Sequence, residues 1–220
     1  MSKIKLKICG LRLRENADSV LDIHPDFIGF IFYCKSPRYV GNRYEWIRQL
    51  EIDSSLKKVG VFVDNPVEDI LCVTRDAGLG FVQLHGNESV ETCRLLREKG
   101  LRVIKVFSIG TNFSFSALRS YIDHVDYFLF DTRGKYLGGN GIPFDWSLLE
   151  DYPYQVPFFL SGGIGIDNIG HVKYLNHPLL YAVDVNSKLE LEPGVKDPRL
   201  LKKFREEFEK LNHDRSEHEL

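Results

Sequence analysis

KVGVFVDNPVEDILCVTRDAGLGFVQLHG, residues 58–86, decides the fold. It opens on one short apolar run, Lys58–Val63, and closes on another, Phe81–His85. Between them Val67, Ile70, Leu71, Thr74 and Ala77 recur at helical spacing, and Pro66 behind Asn65 reads as a first-turn proline after a cap. Both flanking runs are nearly continuous rather than alternating, and rich in Val and Phe. That pattern is expected of parallel strands covered on both faces.

Working outward, the same unit repeats. Further strands are expected at Lys5–Cys9, Phe27–Phe32, Val103–Phe107, Tyr127–Asp131, Phe158–Leu160 and Ala182–Val185. Helical spacing joins Leu13, Ala17, Val20 and Leu21, and again Val90, Cys93, Leu96 and Leu101, with Gly100 as a stop. Ile169, Val172 and Leu175 suggest a seventh helix, and Arg199–Leu211 a last amphipathic one. Eight strand–helix units in 220 residues predict one α/β domain, a (β/α)8 TIM barrel with a parallel eight-stranded core over residues 1–212. A polar tail, residues 213–220, is expected to fray. An open doubly wound sheet is the competing architecture.

Bulk composition narrows the function classes. Hydrophobic residues make up 43% and charged residues 27%, ordinary for a soluble globular protein. A formal charge of −2 gives no electrostatic case for nucleic acid or an anionic membrane, so any phosphate must be held by a local site. The four cysteines show neither CxxC nor Cys/His spacing, which argues against a metal site. Cys72 and Cys93 fall in apparent helices and read as core residues. The basic N-terminus runs straight into a strand, and no apolar stretch approaches the roughly 20 residues needed to span a bilayer. A cytoplasmic protein in a reducing compartment is expected.

In such a barrel, chemistry sits where strands end and helices begin. The tips in order are Cys9-Gly10, the loop from Tyr33 to Arg38, Asp64-Asn65, Gln83-Leu84-His85-Gly86, Ser108, Asp131-Thr132, Ser161-Gly162-Gly163 and Asp184-Val185-Asn186-Ser187. Cys9 and Asp131 are each the only thiol or carboxylate at the end of their own short apolar run, Ile4–Cys9 and Tyr127–Asp131. A closed barrel would bring them to one pocket as a base and an acid with no cofactor, which suits an isomerase.

KICG (7–10), SPR (36–38), VGVFV, VQLHG, FDT (130–132) followed by GGNG and FDW, LSGGI (160–164) and AVDVNS (182–187) together resemble the phosphoribosylanthranilate isomerase family of tryptophan biosynthesis. The likeness spans Lys7 to Lys196, and the ordered combination is far more specific than any one block. It implies a cofactor-free Amadori rearrangement of an aminoaldose phosphate, with Cys9 as general base and Asp131 as general acid. Cys9 could act only as its thiolate, which calls for local positive potential. Asp131 would have to keep its proton through burial or the bound anion.

The resemblance also implies Arg38 as the clamp for the anthranilate carboxylate, since a guanidinium fork matches a planar carboxylate by two parallel hydrogen bonds. The phosphate is expected between the seventh and eighth tips, at Gly162, Gly163, Asp184, Asn186 and Ser187. Asn186 and Lys188 depart from the commoner DVSSG pattern. His85 could touch substrate or be structural, and Arg12 could support the Cys9 thiolate or face solvent. Gly138, Gly139 and Gly141 suggest a lid beside Asp131. The expected partner is a small phosphorylated substrate, with no nucleic acid, membrane, metal or cofactor, in a monomer or homodimer. Rival readings are another sugar-phosphate isomerase or epimerase, a Schiff-base aldolase using Lys105, and a non-catalytic phospholigand binder.

Overall fold

The computed structural model describes residues 3–110, 113–132 and 145–217. The predicted lid glycines, 138–141, lie outside the described residues. Eight parallel strands close into a barrel: β1 (Lys5–Ile8), β2 (Phe27–Ile31), β3 (Lys57–Phe62), β4 (Phe81–Leu84), β5 (Arg102–Ile109), β6 (Tyr127–Thr132), β7 (Phe158–Leu160) and β8 (Leu180–Val185). Closure is made by β8 against β1, with Lys5 opposite Ala182 and Lys7 opposite Asp184. The barrel therefore has no open edge to protect.

Side chains two apart on a strand share a face, so each strand carries an inner and an outer set. The outer set, including Phe30, Phe62, Phe128 and Phe130, packs into the large cluster shared with the surrounding helices and loops. The inner set forms a separate cluster of Phe27, Val59, Ile104, Val106, Leu129, Phe159 and Ala182. Phe159 meets Phe27 and Tyr127 edge to face, with centroids 5.3 and 5.4 Å apart, and this aromatic layer floors the barrel. One pleat further along, the same inner face turns polar: Leu129 is followed by Asp131, Phe81 by Gln83, and Ala182 by Asp184.

Among the described residues the helical layer is thinner than eight full units. The described α-helices are α1 (Arg14–Leu21), α2 (Val67–Ala77), α3 (Val90–Glu98) and α4 (Pro198–Glu217). Short 3-10 stretches serve instead after β2, β5 and β7, and Trp146–Asp151 precedes β7. The expected seventh helix is one of these, Ile169–Tyr174. Its apolar residues fall at intervals of three, the repeat of a 3-10 turn rather than of an α-helix.

Two other expectations need correction. The chain beyond Leu211 continues α4 to Glu217 instead of fraying. Asn212 exchanges hydrogen bonds with the backbone of Ile4 at 2.8 and 3.2 Å, and buried Arg215 donates to the Leu175 carbonyl, so polar residues anchor that last turn. Cys72 is exposed on α2, whereas Cys93 is buried. A hairpin of β9 (Glu190–Glu192) and β10 (Val195–Lys196), unforeseen from sequence, links β8 to α4. Among the described residues no helix is long and apolar enough to cross a membrane.

Candidate active site

A cavity of about 630 Å³ opens at the C-terminal ends of the strands. Cys9, Arg38, His85 and Asp131 line it, together with the tips Gly162-Gly163 and Asp184, Asn186 and Ser187. Cys9 and Asp131 come from β1 and β6, three strands apart around the ring one way and five the other. Both are nearly buried, at 3% and 5% exposure. A backbone bond from Cys9 N–H to the Val185 carbonyl, 2.9 Å, fixes the first tip against the last strand. Gly29 makes room for the thiol: a Cβ there would meet Cys9 Sγ at 2.7 Å.

Three polar groups organise the mouth. In the first, Lys7 is fully buried and its Nζ lies 2.8 Å from Asp184 Oδ1. Burial opposes both charges. For Lys7, the contacts with Asp184 and Cys9 outweigh burial and hold the ammonium above the ordinary lysine value. Asp184 sits above the ordinary carboxylate range because burial outweighs the pull of Lys7. Burial likewise pushes the Cys9 thiol up, opposed first by Lys7 and then by Lys196. The positive potential near the thiol thus comes from two buried lysines. Arg12 does not supply it, since its guanidinium turns to Glu192 at 3.3 Å.

The second group surrounds Arg38. Its Nε and Nη2 form a fork on Glu190, at 2.9 Å to Oε1 and 2.7 Å to Oε2 respectively. Buried Lys196 completes it, donating to Glu190 Oε1 at 2.7 Å and to Asn186 Oδ1 at 2.7 Å. Burial works against the Glu190 charge, yet Arg38 and Lys196 hold that carboxyl below the ordinary glutamate range. One edge of the expected clamp is therefore already engaged, which the sequence reading did not foresee. The Nη1/Nη2 edge is the one left to face a ligand.

In the third, His85 Nε2 is 3.4 Å from Asp131 Oδ2, while Asp131 Oδ1 accepts the Thr132 N–H at 2.8 Å. Across the cavity, Gly162 and Gly163 adopt φ of 94° and 71°. Thr132 presses so closely on Gly162 that a side chain there would collide with its backbone nitrogen at 2.6 Å. Asn168 accepts the Gly165 N–H and donates to the Gly163 carbonyl, both at 2.9 Å, so the glycine turn is pinned. Lys188 is exposed.

Lys7, Glu190 and Lys196 are site residues that sequence reasoning missed, and Gln83 was read at its strand tip without a role. The available signal was a lone polar residue inside the apolar strand FVQL and, in IKLKIC, two lysines alternating onto one face. Lys105, the candidate Schiff-base lysine, is unsuited to that role. It lies on the outer face beside Leu84 and Phe128 in register, paired with buried Glu88 at 3.0 Å.

The sequence model of N-(5'-phosphoribosyl)anthranilate isomerase matches residues 6–207. A relative of that name from Parabacteroides distasonis is 43% identical over 201 residues, covering 90% of each chain. The phosphoribosyl anthranilate isomerase of Thermotoga maritima superposes with a TM-score of 0.81 at 33% identity, covering 94% of this chain and 99% of that one. A further isomerase structure, in complex with reduced 1-(o-carboxyphenylamino)-1-deoxyribulose 5-phosphate, gives a TM-score of 0.79 at 32% identity, with 94% and 99% coverage. With matches of this extent in sequence and fold, the chain belongs to the family of N-(5'-phosphoribosyl)anthranilate isomerases and is an isomerase of that class.

Proposed function

We propose that this chain converts N-(5-phosphoribosyl)anthranilate to 1-(2-carboxyphenylamino)-1-deoxyribulose 5-phosphate, with Asp131 as general acid and Cys9 as general base. The observation that carries the assignment is the convergence of these two groups, from β1 and β6, on one cavity of about 630 Å³. That volume suits a ligand of this size.

Asp131 delivers its proton to the furanose ring oxygen as the C1–O bond breaks, which opens the ring to a protonated Schiff base. The Cys9 thiolate then removes the proton from C2, and the electron pair moves toward nitrogen to give an enolamine. Ketonisation places a proton on C1 from the Cys9 thiol while the enol hydroxyl returns one to Asp131. Both residues end as they began, and all electron movement stays within the substrate.

The surroundings fit these roles. Lys7 and Lys196 favour the thiolate against the burial that opposes it. The outward edge of Arg38, braced from behind by Glu190, receives the anthranilate carboxylate. Backbone N–H groups of the Gly162-Gly163 and Asn186-Ser187 tips take the phosphate at the usual place in this kind of barrel.

The test generates the aminoaldose in situ and follows the decay of its anthranilate fluorescence with the wild-type chain. In heavy water the product should carry one deuterium at C1. No catalysed decay would refute the activity, and a product without deuterium would require proton return that never mixes with solvent.

A further inference from the structure

Gln83 and His85, two members of a chain of polar contacts that ends on Asp131, have no part in the scheme above. Gln83 lies on β4, is 1% exposed, and shares the inner face with His85 two residues on. Its Nε2 is 3.1 Å from His85 Nδ1, and His85 Nε2 is in turn 3.4 Å from Asp131 Oδ2. An amide nitrogen can only donate, so His85 Nδ1 accepts and the neutral ring carries its proton on Nε2. That puts the proton on the nitrogen nearer Asp131.

Turning the amide over would set Oε1 against Nδ1 and require the proton there. The bare Nε2 lone pair would then face the carboxylate that Asp131 becomes once it has given up its proton, two acceptors in contact. Gln83 Oε1 has no partner among the described residues. Turning the amide would merely exchange one unpaired group for the other, so that cost does not choose between the orientations. The contact with Asp131 does.

We propose that Gln83 is a positioning residue, fixing His85 in the Nε2–H tautomer so that the imidazole holds and stabilises the Asp131 carboxyl as it gives up its proton. This rests on the reading of Asp131 as the acid. Thr132 N–H holds Oδ1, and His85 Nε2 stands 3.4 Å from Oδ2, close enough for a hydrogen bond to tighten onto it only while the ring keeps this tautomer. The bond from Nε2–H strengthens as negative charge develops on the carboxylate, so it acts on turnover more than on binding.

Nitrogen-15 NMR of histidine-labelled full-length protein reads the tautomer directly, with His85 assigned by its loss in His85→Asn. The wild type should show a protonated Nε2 and an unprotonated Nδ1. Gln83→Glu offers only an acceptor and should move a proton to Nδ1. Gln83→Met should lower kcat about tenfold while leaving KM within about twofold. A proton on Nδ1 in the wild type, or wild-type kcat in Gln83→Met, would overturn the proposal. The wild-type spectrum decides even if Gln83→Met fails to fold. Asp131→Asn separates the two levels: if it keeps full turnover the acid assignment itself fails, whereas an inactive Asp131→Asn beside a fully active Gln83→Met defeats only the role given to Gln83.

Discussion

The floor and the mouth of the barrel are built from the same inward faces of the same strands, yet they are opposite in character. The floor is an aromatic layer of buried Phe27 and Phe159 with half-buried Tyr127 and Tyr181 packed against them. One pleat above it stand Lys7, Gln83, Asp131 and Asp184, all buried. The floor is stabilised by loss of apolar surface to water and by ring packing. The mouth gains little from burial, because each charge there must first be desolvated and then matched. A protein that keeps such groups is using them, and the difference between the layers separates what holds the barrel from what the barrel holds.

Lys7→Met should have the largest effect, because it acts on both stability and chemistry. It leaves Asp184 buried without its partner, a change of about 3–5 kcal/mol in stability, readable by urea unfolding. It also removes the positive charge that most opposes the rise of the Cys9 thiol, while Asp184 continues to push that thiol up. The thiolate fraction grows as pH approaches and passes the thiol's own pKa, so activity should rise with pH in the wild type and begin to rise at higher pH in the variant. Unchanged stability with an unchanged pH profile would erase the contrast between the two layers.

Phe159→Ala should lose a comparable amount, about 3–5 kcal/mol, but from the floor alone. The pH dependence of the activity that remains should match the wild type. A shifted profile would mean that floor and mouth are coupled. Gly29→Ala sharpens the comparison at one atom. Its Cβ would lie 2.7 Å from Cys9 Sγ and 3.2 Å from Cys9 Cα, so the thiol must move. Turnover should fall about tenfold, because a displacement of this kind takes the base out of line. Wild-type turnover would show that the thiol's position is not critical.

Much of this was legible in the sequence, for reasons the two layers explain. Strand runs such as Tyr127–Phe130 and Phe158–Leu160 are apolar on both faces, so they stand out from their surroundings, and all eight fall where expected. The tips were legible because polar and glycine residues gather at strand ends, and every site residue read from them lines the cavity. Helices on the second half of the barrel were overread, since a three-residue apolar spacing such as Ile169–Val172–Leu175 satisfies both helix types over so short a span. Lys7 escaped notice, and Gln83 went without a role, because a strand read for its apolar residues gives no meaning to the inward polar ones. Their meaning is non-local: Lys7 meets Asp184 across 177 positions, and Arg38 meets Glu190 across 152. No local pattern encodes those pairs.

Everything turns on whether the thiol of β1 and the carboxyl of β6 act on a single bound sugar. The most direct measurement compares binding of the reduced product analogue with turnover in Cys9→Ala and Asp131→Asn. Each variant should bind the analogue within about threefold of wild type while turnover drops by at least about a hundredfold. Wild-type turnover in either variant, or loss of binding that accounts for the whole drop, would contradict the account.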